Sequence, residues 1–296
     1  MHPAFSVLFF TVTSGFGFGF LFWLLLAQHT SVIALTNDEL ILSIGAATAM
    51  FTLGLMSSSL HLANPKNAWR SFTRFASSWL SREAVFAVLT YPLLAVYVAT
   101  IWFEVAYWDL VLASLLCVLL LILIYCTAMI YASLKTIPQW NNRWVISGFL
   151  CFSLASGALC LTVVVHNSLT VMITAGLLIL SLLIKLGYYR HIGLPDRSSI
   201  NTATGFSQAS VKLFDAGHSS KNFLQREFVY EVGPKTKTLA RRTSLLMAFI
   251  LPALLLVWLA QPVAAALCCY LGLLLERWLF FVEAKHVIRH YYDASR

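Results

Sequence analysis

Six ionisable residues stand inside or at the edges of long apolar runs: His61, Arg82, Glu83, Lys185, Glu276 and Arg277. Such groups are costly at membrane depth and mark sites or pathways. His61 closes one run in Leu60-His61-Leu62-Ala63-Asn64-Pro65, and Arg82-Glu83 opens the next. The stretch between them carries Trp69, Phe72 and Trp79. If it folds back, the two ends meet. An imidazole N–H can donate to a ring carbonyl, and a neighbouring carboxylate can pass protons. Just inside a membrane that pair suits a quinone, whose two-electron chemistry moves two protons. The aromatic side chains offer flat apolar surface to its head group. His61, Glu83, Arg82, Trp69 and Trp79 are therefore the expected site. The bland alternative for His61 is a hydrogen-bonded interfacial histidine.

Glu276 and Arg277 form the second-choice polar site. Adjacent helical residues project about 100° apart, so these two need not pair. One can face the bundle while the other reaches the headgroups, and anchoring and function both stay open. Lys185, late in its run, is expected to snorkel to the interface. A b-type haem needs two facing axial ligands. His2, His29, His166, His191, His218, His286 and His290 fall mostly in ends, loops and the tail, and none stands opposite His61. Cys117, Cys126, Cys151, Cys160, Cys268 and Cys269 all lie within apolar runs and form no C-x-x-C. No haem, cluster or metal site is expected in this chain.

These residues are positioned by eight apolar runs, roughly Phe5–Ala27, Leu40–Leu62, Ala84–Phe103, Leu110–Tyr131, Val145–Val165, Leu169–Tyr189, Ser244–Ala260 and Val263–Phe281. Most are about 20 residues long, enough to cross roughly 30 Å of hydrocarbon. A 59% hydrophobic content with 11% charged residues and a mean hydropathy of +0.80 exclude an ordinary soluble domain. The fold class is all-α: one polytopic membrane domain, 1–296, with eight transmembrane helices. All 20 Lys and Arg residues fall in or beside the second, fourth and sixth connections and the C-terminal tail. By the positive-inside rule those parts and both termini are cytoplasmic, here in a bacterial inner membrane. Topology thus accounts for the net charge of +8, and no nucleic-acid partner is implied. The first run lacks a basic flank and a clear cleavage site, so it is read as a retained helix. Its Gly15-Phe16-Gly17-Phe18-Gly19 stretch either permits close helix contact or makes the segment locally flexible.

The outer connections are short. Glu104–Asp109 sits among Trp102, Tyr107 and Trp108, an interfacial aromatic belt. On the inner side, Asn64-Pro65 starts a segment whose aromatics recur at three- and four-residue steps, the pattern of an amphipathic interfacial helix. The longest inner connection, 190–243, lacks apolar periodicity. Its Asn222-Phe223-Leu224-Gln225-Arg226-Glu227-Phe228 stretch marks it as a docking segment, with Phe223, Leu224, Arg226 and Phe228 as anchors. No internal repeat relates the two halves, and few charges lie near the midplane, which disfavours a secondary transporter.

The blocks Ser59-Leu60-His61-Leu62-Ala63-Asn64-Pro65, Leu80-Ser81-Arg82-Glu83 and Tyr131-Ala132-Ser133-Leu134-Lys135-Thr136-Ile137-Pro138-Gln139-Trp140 resemble the dimethyl sulfoxide reductase anchor-subunit family (DmsC-like). Glu276-Arg277-Trp278-Leu279-Phe280-Phe281 is a weaker match. The resemblance implies a three-subunit complex: a molybdopterin catalytic subunit, an iron–sulfur subunit, and this quinone-binding subunit in the lipid bilayer. The family's quinone-site histidine and carboxylate correspond to His61 and Glu83. The opening Met1-His2-Pro3-Ala4-Phe5-Ser6-Val7 and the stretch at Asn222 look more like the sulfite-dehydrogenase branch (SoeC-like), in which the catalytic subunits are cytoplasmic and quinone is reduced. The alternative within redox proteins is a polysulfide-reductase-type (NrfD-like) quinone subunit.

Overall fold

A computed structural model describes residues 4–30, 35–59, 65–105, 107–193, 199–206, 208–212, 214 and 232–288. It is helical, with no strand among the described residues. Eight helices are long and apolar enough to cross a membrane. They are α1 (Phe5–His29), α2 (Asn37–Ser59), α3 (Trp79–Trp102), α4 (Asp109–Ala132), α5 (Arg143–Val164), α6 (Ser168–Ile192), α7 (Pro234–Leu259) and α8 (Pro262–Val282).

α1 and α5 form the middle of the bundle. In α1 78% of the most apolar window is buried and in α5 72%, against 22% in α3 and 28% in α6. Glycines in the α1 sequence explain how it can be central. A Cβ on Gly17 would fall 2.5 Å from the Phe51 nitrogen of α2, and one on Gly19 would fall 1.8 Å from the Ser153 carbonyl oxygen of α5. Backbones approach that closely only where side chains are absent. The Gly15–Gly19 stretch is therefore a packing surface rather than a flexible point.

Local signals set the helix ends. Thr36 and Glu39 cap α2 reciprocally: Thr36 N donates to Glu39 Oε2 at 2.9 Å, and Glu39 N to Thr36 Oγ1 at 3.3 Å. Asn167 and Thr170 do the same for α6. Trp102, Tyr107 and Trp108 are exposed at one end of the bundle, as an interfacial belt requires. At the other end, the α4–α5 connection and the chain after α8 grip each other. Trp140 stacks on Phe280 with ring centroids 5.2 Å apart and donates Nε1–H to the Phe280 carbonyl at 3.0 Å. Val287 N donates to the Thr136 carbonyl at 3.0 Å.

Two segments depart from the sequence expectation. The seventh span starts at Pro234, not Ser244. Gly233-Pro234 is a helix start signal, hidden because the first turns are polar and carry no apolar stripe. Within α7 the backbone widens to a π-turn over Leu246–Ile250, just before Pro252. That proline cannot donate a helical bond and crowds the carbonyl of Ala248, and the wider turn relieves the crowding. Gly272 of α8 fits against it: a Cβ there would lie 2.2 Å from the Ala248 nitrogen. The connection 190–243 is correspondingly shorter as a loop, and holds a five-residue helix, Ile200–Thr204.

The second departure is the segment before α3. It is a 3₁₀ helix, Pro65–Arg74, followed by a turn, rather than one amphipathic α-helix reaching Trp79. Trp79 is instead the first residue of α3. Trp69 and Phe72 are exposed.

Candidate functional site

Glu83 is the fifth residue of α3, in a helix begun by the Ser78 cap, whose side chain accepts from Ser81 N. Ser81 Oγ in turn donates to the Ser71 carbonyl and ties α3 to the 3₁₀ segment. This entry angle turns Glu83 inward, and it is 3% exposed. Its Oε1 accepts a hydrogen bond from Thr127 Oγ1 of α4, and the same hydroxyl is positioned by the Leu123 carbonyl at 3.1 Å. A buried carboxylate requires such donors. Among the described residues, no ion pair involves Glu83. It is therefore a buried acid held by a neutral donor.

Arg82 turns the other way. Its Nε donates to the Phe75 carbonyl at 3.0 Å and its Nη2 to the Ala76 carbonyl at 2.7 Å, while the guanidinium lies 4.1 Å over the Trp79 ring. Arg82 thus fixes the turn before α3 and does not pair with Glu83. Trp79 packs edge-on against Tyr125 of α4, 5.7 Å between centroids, and walls the same α3–α4 crevice. Trp69, 61% exposed, points away from it. Of the expected site residues, the structure brings Glu83, Trp79 and Arg82 into one corner and leaves Trp69 out. His61 lies outside the described residues, as do Phe223, Leu224, Arg226 and Phe228.

The second-choice residues are the centre of a larger polar cluster. Glu276 is fully buried and Arg277 nearly so. Arg277 Nε donates to Glu276 Oε2 at 2.5 Å, so the neighbours do pair. Lys185 of α6 forms an ion pair with Glu276 Oε1. Contrary to the snorkelling expectation, Lys185 is 2% exposed. Its ammonium lies 4.3 Å from the Tyr188 ring and 4.6 Å from the Tyr189 ring. A carboxylate and two aromatic faces hold it inside more firmly than a headgroup could. Arg277 is likewise faced by aromatics, 4.3 Å from the Phe149 ring and 4.9 Å from that of Phe280. Nearer the end of the bundle, Arg241 of α7 pairs with Glu283 at 2.5 Å.

Sequence reasoning missed Thr127, Tyr188, Tyr189, Arg241 and Glu283. The spacing Lys185, Tyr188, Tyr189 was a usable signal, because residues three and four apart share a helix face. Thr127 carried none, since a lone threonine in an apolar helix usually bonds its own backbone. No group of three or more His, Cys, Asp or Glu that could hold a metal ion occurs among the described residues.

The DMSO reductase anchor subunit (DmsC) family matches residues 1–281. The chain belongs to that family: it is a multi-pass membrane anchor subunit of an oxidoreductase and does not catalyse alone. It is also 31% identical to a sulfite dehydrogenase subunit (SoeC-like) of Allochromatium vinosum over 326 aligned residues, which cover 99% of each chain. No solved structure matches.

Proposed function

We propose that this chain binds a quinone at the α2–α3 corner and exchanges electrons with an iron–sulfur subunit, itself wired to a molybdopterin catalytic subunit. The similarity to a sulfite dehydrogenase subunit favours sulfite oxidation over dimethyl sulfoxide reduction. The basic end of the bundle is the cytoplasmic face of a bacterial inner membrane, and the soluble subunits dock there.

The observation that carries this reading is Glu83: a buried carboxylate with a neutral donor and no ion-pair partner among the described residues. It stands about 6 Å along α3 from Trp79, at 1.5 Å per residue, so it lies just inside the basic face. The chemistry of the donor set fits the head group. Trp79 and Tyr125 give an apolar aromatic wall, and Glu83 gives an acid that can hold or release a proton. A bound quinone supplies two-electron, two-proton redox chemistry. His61 would donate to a ring carbonyl, and Glu83 would pass protons between the site and the cytoplasmic face, with Thr127 fixing the carboxylate's direction.

The test is a pair of variants in the assembled complex. Losing a hydrogen bond to a buried ligand costs about 1–3 kcal/mol, roughly tenfold to a hundredfold in affinity. His61→Ala should weaken quinone binding by that amount. Glu83→Gln keeps shape but cannot ionise, so it should slow quinone-linked turnover more than it weakens binding. Electron transfer from the soluble subunits to an artificial dye should be unaffected in both. Full quinone-linked activity in both variants, with assembly intact, would move the site elsewhere.

A further inference from the structure

The Lys185–Glu276–Arg277 cluster is not explained by anchoring. All three residues are buried within the bundle, and as ions they leave one positive charge in excess. Burying an ion pair is seldom more stable than packing apolar residues of similar volume, and an excess charge adds to the cost. The cluster is also incompletely bonded. Arg277 Nη1, the Tyr188 hydroxyl and Glu283 Oε2 are buried without a hydrogen-bond partner. Buried polar atoms in this state commonly bind internal water.

There is room for that water. One cavity, with ≈ 10 Å³ open to a water-sized sphere, is lined by Lys185, Tyr188, Glu276 and Arg277 among others. A second, of ≈ 20 Å³, is lined by Thr11, Ser153, Ser156 and Arg277 with apolar neighbours. Each is about the size that holds a single water, and each offers several polar partners. Arg277 borders both. Ser156 lies about 20 Å along α5 from Arg143, so the inner cavity is near mid-depth. At the other end Glu283 meets Arg241, whose side chain is 40% exposed.

We propose that these groups form a proton file running from the bundle's middle to its basic face. Its carriers are one water in each cavity, the Glu276–Lys185 pair, the Tyr188 hydroxyl and Glu283. Arg277 cannot release a proton. It donates to the waters and holds them in line. Lys185 and Glu276 can exchange a proton directly, since they are in hydrogen-bond contact.

The file rests on the quinone reading, which gives it a purpose. Reduction of a quinone by two electrons from the soluble redox partner takes up two protons to give the quinol, and the file supplies protons from the basic side. Tyr131 of α4 stands between the two polar regions. Its ring stacks on Phe149 at 5.6 Å, the Arg277 guanidinium lies 4.3 Å from that same Phe149 ring, and the charges of Glu83 and Arg277 both reach the tyrosine.

The test uses the complete complex in proteoliposomes with the basic side outward. Tyr188→Phe keeps the ring over Lys185 and removes only the hydroxyl. Lys185→Met removes a carrier and leaves Glu276 paired with Arg277. A pH indicator follows proton uptake from the outer solution after a pulse of electron donor, and a titration measures quinone affinity separately. Uptake should slow roughly a hundredfold in either variant, the low end of what a positioned proton-transfer group contributes, while quinone affinity stays at the wild-type value. A high-resolution cryo-electron microscopy map of the wild-type complex should show water at Arg277 Nη1 in both cavities. Unchanged uptake in both variants, or dry cavities in a map that resolves water elsewhere, would overturn the file and leave the quinone site standing. Loss of assembly in both variants would make the cluster a structural clamp and also overturn it. A wild-type complex that shows no quinone-linked uptake would overturn the quinone reading and the file together.

Discussion

The buried cluster predicts an asymmetry that residue type alone does not suggest. Lys185→Met and Glu276→Gln each remove one partner of the same ion pair, yet they should not cost the same. After Lys185→Met, Glu276 still accepts from Arg277, so one anion faces one cation and the excess positive charge is gone. Methionine also fills the space of the lysine stem against Tyr188 and Tyr189. The cost should be about 1 kcal/mol, that of one hydrogen bond. After Glu276→Gln, an ammonium and a guanidinium share a site in which Glu276 and Arg277 are 0% and 6% exposed. Breaking a buried pair so that a charge is left uncompensated costs about 3–5 kcal/mol. Lysine can shed its proton and limit the loss, but arginine cannot. In the double variant Lys185→Met/Glu276→Gln only Arg277 remains charged, so part of the loss should return. Thermal unfolding of the detergent-solubilised protein measures this. At about 2 °C per kcal/mol for a chain of this size, Glu276→Gln should fall by roughly 6–10 °C and Lys185→Met by about 2 °C. The double variant should fall between them. Equal losses from the two single variants, or strictly additive losses in the double, would show that the residues do not act as one charge-coupled unit.

Three further outcomes are expected. Reporter fusions after Leu35 and after Ser220 should report opposite sides of the membrane, periplasmic and cytoplasmic, and the same side for both would break the eight-span order. Deleting Asn222–Val232 should release the soluble subunits while the anchor stays inserted, as read by membrane fractionation, because aromatic and arginine anchors commonly dominate such interfaces. Gly19→Val should prevent stable folding, measured as loss of monodisperse protein in detergent, because its Cβ alone would enter the Ser153 carbonyl.

The fold is legible in the sequence because membrane spans are written in composition over long windows. All eight spans can be read, and only the start of α7 is displaced, where Pro234–Thr243 is helical but polar. The polar interior is less legible. Glu83 can be singled out because a carboxylate at the mouth of an apolar run is expensive. Its partner Thr127 cannot, because helix contact across α3 and α4 decides that pairing. Lys185 departs from expectation for a related reason. Snorkelling weighs a lysine against lipid alone, whereas the outcome turns on a carboxylate from α8 and two rings on its own face. Aromatic periodicity before α3 is real in the sequence but does not produce one helix. Ser78 caps α3 afresh, and the break leaves Trp69 and Phe72 facing outward.

Both buried carboxylates lie close to the same end of the bundle. Glu83 is one turn into α3, and Glu276 is about 9 Å along α8 from Val282. That end also carries the basic connections and the grip between Trp140 and Phe280. A quinone ring held beside Glu83 would therefore stand within a few residues' depth of the surface where a soluble electron donor can dock. The protons would enter from the same side, by Glu83 and by the file through Glu276. Electrons and protons then cross the same thin layer in the same direction, and the quinone chemistry of this chain would move no net charge across the membrane. Membrane-potential dyes on proteoliposomes check this directly: turnover should generate no potential of its own. A potential that builds with turnover would require a proton path from the opposite face, through the apolar outer half of the bundle between α1, α5 and α6.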